Sequence, residues 1–336
     1  SYYFKEGVVK IFFVVFLIFF SAIFCFAKES SPILYNSFDG IPIGAKPRGM
    51  GESFVALVDN ADAPYWNPAG LVFLKSNLCT FMFDLARSGA KREDIVNREP
   101  LRGKWFTYLS FCSSLGGLSW RPLSNFREED NPPYSEREIK INKYTLSYAI
   151  PYSSKISFGM NINYLYGSLG IARDSSSPQA NISTGNGWGL DWGIIYIHSP
   201  LLKTGISLEN GPAYIYWSDY RADRLPLNLR AGVGIKMAKF LTVASDFEHR
   251  FYVRKNGGAK SLAVYHLGLE YSPMRNISLR LGMFGENFSE KKKVNYTYGL
   301  GYTRDSYVLD FALKRYYLDD LRAAVYSYVC SLSLPF

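Results

Sequence analysis

Histidine and cysteine are scarce, with three His and four Cys in 336 residues. His198, His249 and His266 stand far apart, without His-x-x-x-His or Cys-x-x-Cys spacing, so neither a zinc centre nor a disulfide framework can be assembled. Glycine (28) and proline (16) are near average use, which excludes collagen-like and low-complexity classes. There is no Gly-x-Ser-x-Gly, and Gly49-Met50-Gly51 lacks the strand–glycine turn–helix setting of a dinucleotide site. No catalytic set, metal or cofactor is expected, and the chain does not read as an enzyme. Beyond residue 27 no stretch approaches the ~18 consecutive apolar residues of a spanning helix.

What is plentiful is aromatic: 26 Tyr and 24 Phe, in a chain with formal net charge +9. Basic residues are spread over polar stretches and adjoin acids, as in Lys91-Arg92-Glu93-Asp94 and Glu290-Lys291-Lys292-Lys293. That distribution suits solvated loops over an anionic lipid surface, and no nucleic-acid partner is expected. Residues 1–27 combine Lys5 and Lys10, an apolar run over 11–26 broken only by Ser21, and small residues at Cys25 and Ala27. This is the pattern of a signal peptide. An exported chain without a second helical span has two destinations, a soluble compartment or an outer membrane.

From about residue 77 the dominant period is two, the mark of a strand with chemically different faces. Leu229, Ala231, Val233, Ile235 and Met237 oppose Asn228, Arg230, Gly232, Gly234 and Lys236; Ile277, Leu279, Leu281 and Met283 oppose Ser278, Arg280 and Gly282. Fourteen such segments are expected, at roughly 76–85, 103–111, 114–122, 139–150, 156–167, 186–198, 203–210, 226–237, 240–251, 261–272, 276–284, 293–303, 306–317 and 322–334. Most suit a tilted crossing of a bilayer, which takes ~9–11 residues. Tight connections (151–155, 199–202, 238–239, 272–275, 304–305) alternate with long polar ones (86–102, 123–138, 168–185, 211–225, 252–260, 285–292). Short turns on one side and long loops on the other are expected of a bacterial outer-membrane barrel. An exported soluble β-sandwich is the rival, but it has no reason to sort its loops by length. Aromatics near segment ends, such as Tyr148, Tyr152, Tyr164, Tyr166 and 214–217, fit interfacial girdles.

On the inward face the polar phase gathers Arg230, Lys236, Asp246, Glu248, Arg250, Glu270, Arg280, Asp310 and Lys314. A midplane Arg or Lys facing lipid would cost ~2–4 kcal/mol, so these charges are expected to pair within a lumen and with a plug, for instance at Asp62. The final strand alternates Tyr326, Tyr328, Cys330, Leu332, Leu334 and Phe336. A terminal aromatic on such a strand is similar to the signature read by outer-membrane assembly machinery, an unpaired edge offered for strand addition.

Residues 28–75 do not alternate and are expected to form a compact, partly helical hatch inside a barrel of residues 76–336. Their Gly49, Gly51, Asp62, and Trp66-Asn67-Pro68-Ala69-Gly70-Leu71 resemble the start of PorV/PorQ-type proteins within the FadL-like superfamily of outer-membrane barrels. Asn67-Pro68 reads as an N-cap followed by proline at the first helical position, with Gly70 ending the turn. The resemblance implies a fourteen-stranded barrel with an N-terminal hatch and two competing functions. One is a docking or scaffold component of a secretion or surface assembly, contacting secreted proteins or complex subunits; the resemblance favours it slightly. The other is a FadL-like transporter of small hydrophobic molecules. A transporter should have an apolar pocket near the hatch and a kink or gap in the wall. A scaffold should have a sealed lumen and an exposed apolar patch among its loops.

Overall fold

Strands dominate because most of the chain alternates side-chain character at period two, which only a two-faced sheet can satisfy. The computed structural model describes residue 38 and residues 41–88, 105–131, 134–172, 181–220, 222–253, 259–289, 294–318 and 323–336. The signal-peptide segment and the charged runs at 91–94 and 290–293 lie outside the described residues. Among the described residues, no helix is long and apolar enough to cross a membrane.

In chain order the strands are β1 (Leu78–Ser88), β2 (Phe106–Cys112), β3 (Gly116–Asn131), β4 (Tyr134–Pro151), β5 (Ile156–Ala172), β6 (Asn181–Ser199), β7 (Leu202–Glu209) and β8 (Ala213–Trp217). They continue as β9 (Asp223–Arg224), β10 (Leu227–Ala238), β11 (Leu241–Val253), β12 (Ala259–Met274), β13 (Ile277–Gly285), β14 (Asn295–Arg304), β15 (Tyr307–Leu318) and β16 (Ala323–Pro335). Pairing is antiparallel throughout. β1 joins β16 and β5 joins β6, so the sheet closes on itself as a fourteen-strand barrel with no free edge. β8 and β9 are not separate wall strands: β8 carries β7 onward along β6, and β9 leads into β10.

Outward residues at bilayer level are apolar, among them Leu146, Ile162, Ile194, Ile206, Leu279 and Leu281, all well exposed on the barrel. One aromatic row crosses five strands in register, as Trp120, Tyr144, Tyr164, Trp188 and Tyr214. It marks the membrane boundary on the long-loop side, where the amphipathic rings meet both lipid and water.

Two expectations need correction here. The stretches 123–138 and 168–185 are largely strand rather than loop, since β3 to β6 have 16, 18, 17 and 19 residues. Beyond the aromatic row the alternation inverts. In β4, Tyr144, Leu146 and Tyr148 face out below it, while above it Ile139 and Ile141 face in and Glu138 and Lys140 face out. In β5, outward Ile162 and Tyr164 give way to inward Leu165 and Leu169. A wall rising from lipid into water must swap its faces, and that phase change makes the strands read as ending early. Trp217 is likewise not interfacial: it is buried inside, with its indole N–H donating to Asp223 at 2.8 Å.

Candidate functional site

The hatch fills the barrel at bilayer level through α1 (Ala45–Gly49), α2 (Ala63–Trp66) and a 3-10 turn (Pro68–Phe73). It can lie against the wall because inward positions of successive strands carry glycine. A Cβ on Gly159 would stand 2.1 Å from the Ala69 nitrogen, on Gly193 2.0 Å from the Asn67 side chain, and on Gly205 2.5 Å from the Val55 carbonyl. Farther round, Gly268 and Gly282 meet Met50 and Gly51 at 2.3 and 2.0 Å, and Gly299 meets Gly49 at 3.0 Å. Backbone therefore packs on backbone over much of the circumference, which no larger residue would permit.

Polar anchors fix the hatch. The Asp246 carboxylate accepts the Phe54 and Val55 N–H groups at 2.6 and 2.8 Å. Asn67 caps the 3-10 turn by accepting from Ala69 N–H, and its amide donates to the carbonyls of Val55, Ile194 and Ile206. Trp66 donates to Ile43, and the Ala61 carbonyl accepts from Tyr108 and Ser110. Pro68 occupies the first helical position, but Gly70 lies inside the turn rather than at its end. A Cβ there would meet Val58 at 2.5 Å. Gly51 and Glu52 both adopt positive φ, at 65° and 63°, where the chain reverses beneath His266 and Thr297.

Asp62 does not join the charges of the wall as expected. Among the described residues it has no ion pair, and its Oδ2 accepts from the Asn60 amide at 2.8 Å. Burial, reinforced by the nearby Asp310 and Asp59 and opposed by Asn60, raises its carboxyl to about 7. Glu52 of the hatch does pair with a wall charge, Lys314, at 3.6 Å.

Of the other inward charges, Arg280 bridges Glu270 and Asp310 at 2.7 and 2.6 Å. Glu248 gathers Arg230, Arg250 and His266 at 3.2, 2.9 and 3.2 Å. Lys236 stands apart, exposed at the short-turn mouth. A second part of this network comes from residues not singled out in the sequence. Glu209 meets Arg121, Lys143 (3.3 Å) and Arg230 (3.4 Å), and Lys143 also meets Asp191 at 3.2 Å. The hatch supplies Tyr65, whose ring receives the guanidinium groups of Arg121 and Arg230 at 4.6 and 4.9 Å from its centre. Arg121, Lys143 and Asp191 occupy the same polar phase of their strands as the nominated charges, so alternation on β3, β4 and β6 carried the signal. Tyr65 had no such mark.

This ionic layer crosses the lumen above the hatch, with a cavity of about 20 Å³ beside Tyr65, Arg121, Asn210 and Arg230, room for a single water. Directly above it lies an apolar cluster in which Leu123, Ile141, Leu165, Ile215, Trp217 and Phe38 are buried together. At the junction of layer and cluster the wall is irregular. Gly189 faces Ala213 and Trp192 faces Leu208, so residues 209–212 bulge against only two residues of β6. Asn210 takes φ 56° there, its N–H donating to Asp191 and its amide to the Pro226 carbonyl.

The last strand seals the barrel against β1. Tyr326, Tyr328 and Leu334 face Ser88, Ala86 and Cys79, Leu332 faces Phe81, and the exposed Phe336 donates its N–H to Asn77 at 3.2 Å. No cluster of three metal-ligating side chains occurs among the described residues.

No family model matches the chain. The virulence membrane protein PagC of Salmonella typhimurium is 29% identical over 166 residues, covering 48% of this chain and 76% of PagC. Among solved structures, the CymD monoaromatic hydrocarbon channel superposes with TM-score 0.64 at 14% identity over 89% of this chain and 99% of its own. The Pseudomonas putida toluene transporter TodX gives 0.63 at 15% over 89% and 100%, and a Pseudomonas aeruginosa FadL homologue gives 0.55 at 11% over 88% and 100%. The chain is thus a fourteen-stranded β-barrel of the bacterial outer membrane, with the fold of FadL-like proteins.

Proposed function

We propose that this barrel is a FadL-like transporter that takes up small hydrophobic molecules across the outer membrane. The observation that carries this reading is the inward apolar cluster around Trp217, set beside the wall irregularity at residues 209–212, with the ionic layer and hatch beneath it. An apolar solute that parted these side chains would gain ~25 cal/mol for each Å² it buried among them. The bulge, at the upper edge of the ionic layer, supplies a weak point through which it could leave sideways into lipid. Solved structures of the same fold that are described as hydrocarbon channels and toluene transporters are consistent with this cargo class.

Trp217 provides the test. Titration of toluene or a short alkane into the detergent-solubilised barrel should shift tryptophan emission, and the response should vanish in Ile215→Glu. Uptake into cells should fall in the same variant, and also when Asn210 and Gly211 are deleted to flatten the bulge. Unchanged emission and uptake in these variants would overturn the proposal.

A second reading, a PorV/PorQ-like docking component of a secretion or surface assembly, draws support from the dense ion pairs across the lumen. It expects no solute uptake, and co-purification of exported proteins or envelope subunits with the intact barrel.

A further inference from the structure

The short-turn end of the barrel carries a cavity that the transport reading does not use. We propose that it is a binding site for a phosphate group, borne either by a phospholipid or by a small soluble phosphate. The cavity measures about 440 Å³. Its floor is apolar and belongs to the hatch, in Met50, Phe54 and Leu57, while four lysines and two acids also line it.

The two acids are already engaged. Asp59 pairs with Lys46 at 2.8 Å, and Glu270 pairs with Arg280 at 2.7 Å. Lys203, Lys236 and Lys239 remain, with no carboxylate in ion-pair reach among the described residues. They are brought together by topology: Lys203 is the second residue of β7, Lys236 lies two residues before the end of β10, and Lys239 lies in the β10–β11 turn. Lys203 faces Gly234, two residues from Lys236 on the adjacent strand. Its ammonium lies 3.9 Å from the Phe73 ring, which holds the charge toward the hatch.

Four lysines face two carboxylates around this cavity, and an anion seated among Lys203, Lys236 and Lys239 would offset the excess positive charge. A single carboxylate offers one charge and two oxygens. A soluble phosphate offers more charge and more acceptor oxygens, matching three separate donors that act as point charges, whereas a phospholipid phosphodiester offers one charge and draws the rest of its affinity from its acyl chains at the rim. The rim joins this polar cluster to the lipid-facing surface. Leu201 and Phe240 line the cavity yet are 60% and 52% exposed, and Phe240 packs on the outward Tyr271 at 5.8 Å. An acyl chain could therefore follow the outside of the barrel while its phosphate turned inward. A soluble phosphate would enter the same cluster from the aqueous mouth.

The experiment uses the whole barrel purified free of lipid in detergent. Inorganic phosphate binding is measured by calorimetry, and binding of phosphatidylglycerol and of diacylglycerol by native mass spectrometry. Phosphatidylglycerol should bind and diacylglycerol should not. Displacement of that lipid by inorganic phosphate identifies the bare group as sufficient, and lipid binding without phosphate binding identifies the membrane as the source. Substituting Lys203→Gln, Lys236→Gln and Lys239→Gln should each weaken the bound form by about tenfold or more, the scale of one charge-assisted contact. Lys155→Gln, on the same side but outside the cavity, should leave it unchanged. A heat-modifiable gel shift verifies that each variant is folded. Absence of binding by both phosphate probes, equal binding of diacylglycerol, or undiminished binding in the folded triple variant would each overturn the proposal.

Discussion

At the scale of single residues, the lumen depends on a few side chains that satisfy several partners at once. Arg230 meets Glu209 and Glu248 and donates to the Tyr65 hydroxyl at 3.2 Å. Replacing it with alanine leaves buried carboxylates short of a partner, a loss of about 3–5 kcal/mol. Urea unfolding of Arg230→Ala in lipid vesicles should reveal that loss. Arg230→Lys should recover only part of it, because an ammonium cannot stack on Tyr65 and fork to two carboxylates together. Asp62 supplies a pH dependence. Its folded-state carboxyl is raised to about 7 by burial, whereas the unfolded chain has the ordinary value near 3.8. The folded hatch thus holds a proton that the unfolded chain releases. The associated stability is complete below the unfolded value and is lost as pH rises through about 7, with a slope of ~1.4 kcal/mol per pH unit between them. Unfolding followed from pH 4 to pH 8 should show this decline, and Asp62→Asn should remove it.

Between elements, hatch and wall are matched by what the wall leaves out. A leucine at position 282 would drive side-chain atoms into Gly51, whose nitrogen lies 2.0 Å from the site of a Cβ. Gly282→Leu should therefore still yield a heat-modifiable barrel, but with a displaced hatch and higher conductance in planar bilayers. Gly170→Ala, where the nearest atom is 3.8 Å away, should not change conductance. The phase inversion in β4 and β5 gives a second test. Ile162 faces lipid and is 49% exposed on the isolated barrel, whereas Ile182 on β6 is 68% exposed beyond the aromatic row. Ile162→Lys should cost ~2–4 kcal/mol of stability in lipid, and Ile182→Lys close to nothing. Equal costs would contradict a membrane boundary at Tyr144, Tyr164 and Trp188.

For the whole molecule, closure of fourteen strands places incompatible solvents on the two sides of one sheet. Lipid outside demands the apolar rows, and the interior must then hold every charge those strands carry. Where the wall rises into water the demand reverses, and the inward face carries the apolar cluster. The barrel class, the short-turn side, and an inward location for Arg230, Glu248 and Arg280 were legible because each follows from alternation within one strand. The inner charges Arg121, Lys143 and Asp191 lay on the same phase, yet Glu209 meets Arg121 and Lys143 only through closure. The full length of β3 to β6 was not legible, since a strand that changes phase looks like one that stops.

Period and loop parity by themselves determined a two-faced, closed antiparallel wall with charges inward and a non-alternating segment to fill it, because these are local properties of each strand and turn. Which residues of that segment meet which strand, the approach of two arginines to the Tyr65 ring, and the bulge at residues 209–212 were decided by tertiary structure. Those contacts join positions far apart in the chain, and only the circumference of the barrel sets their distances.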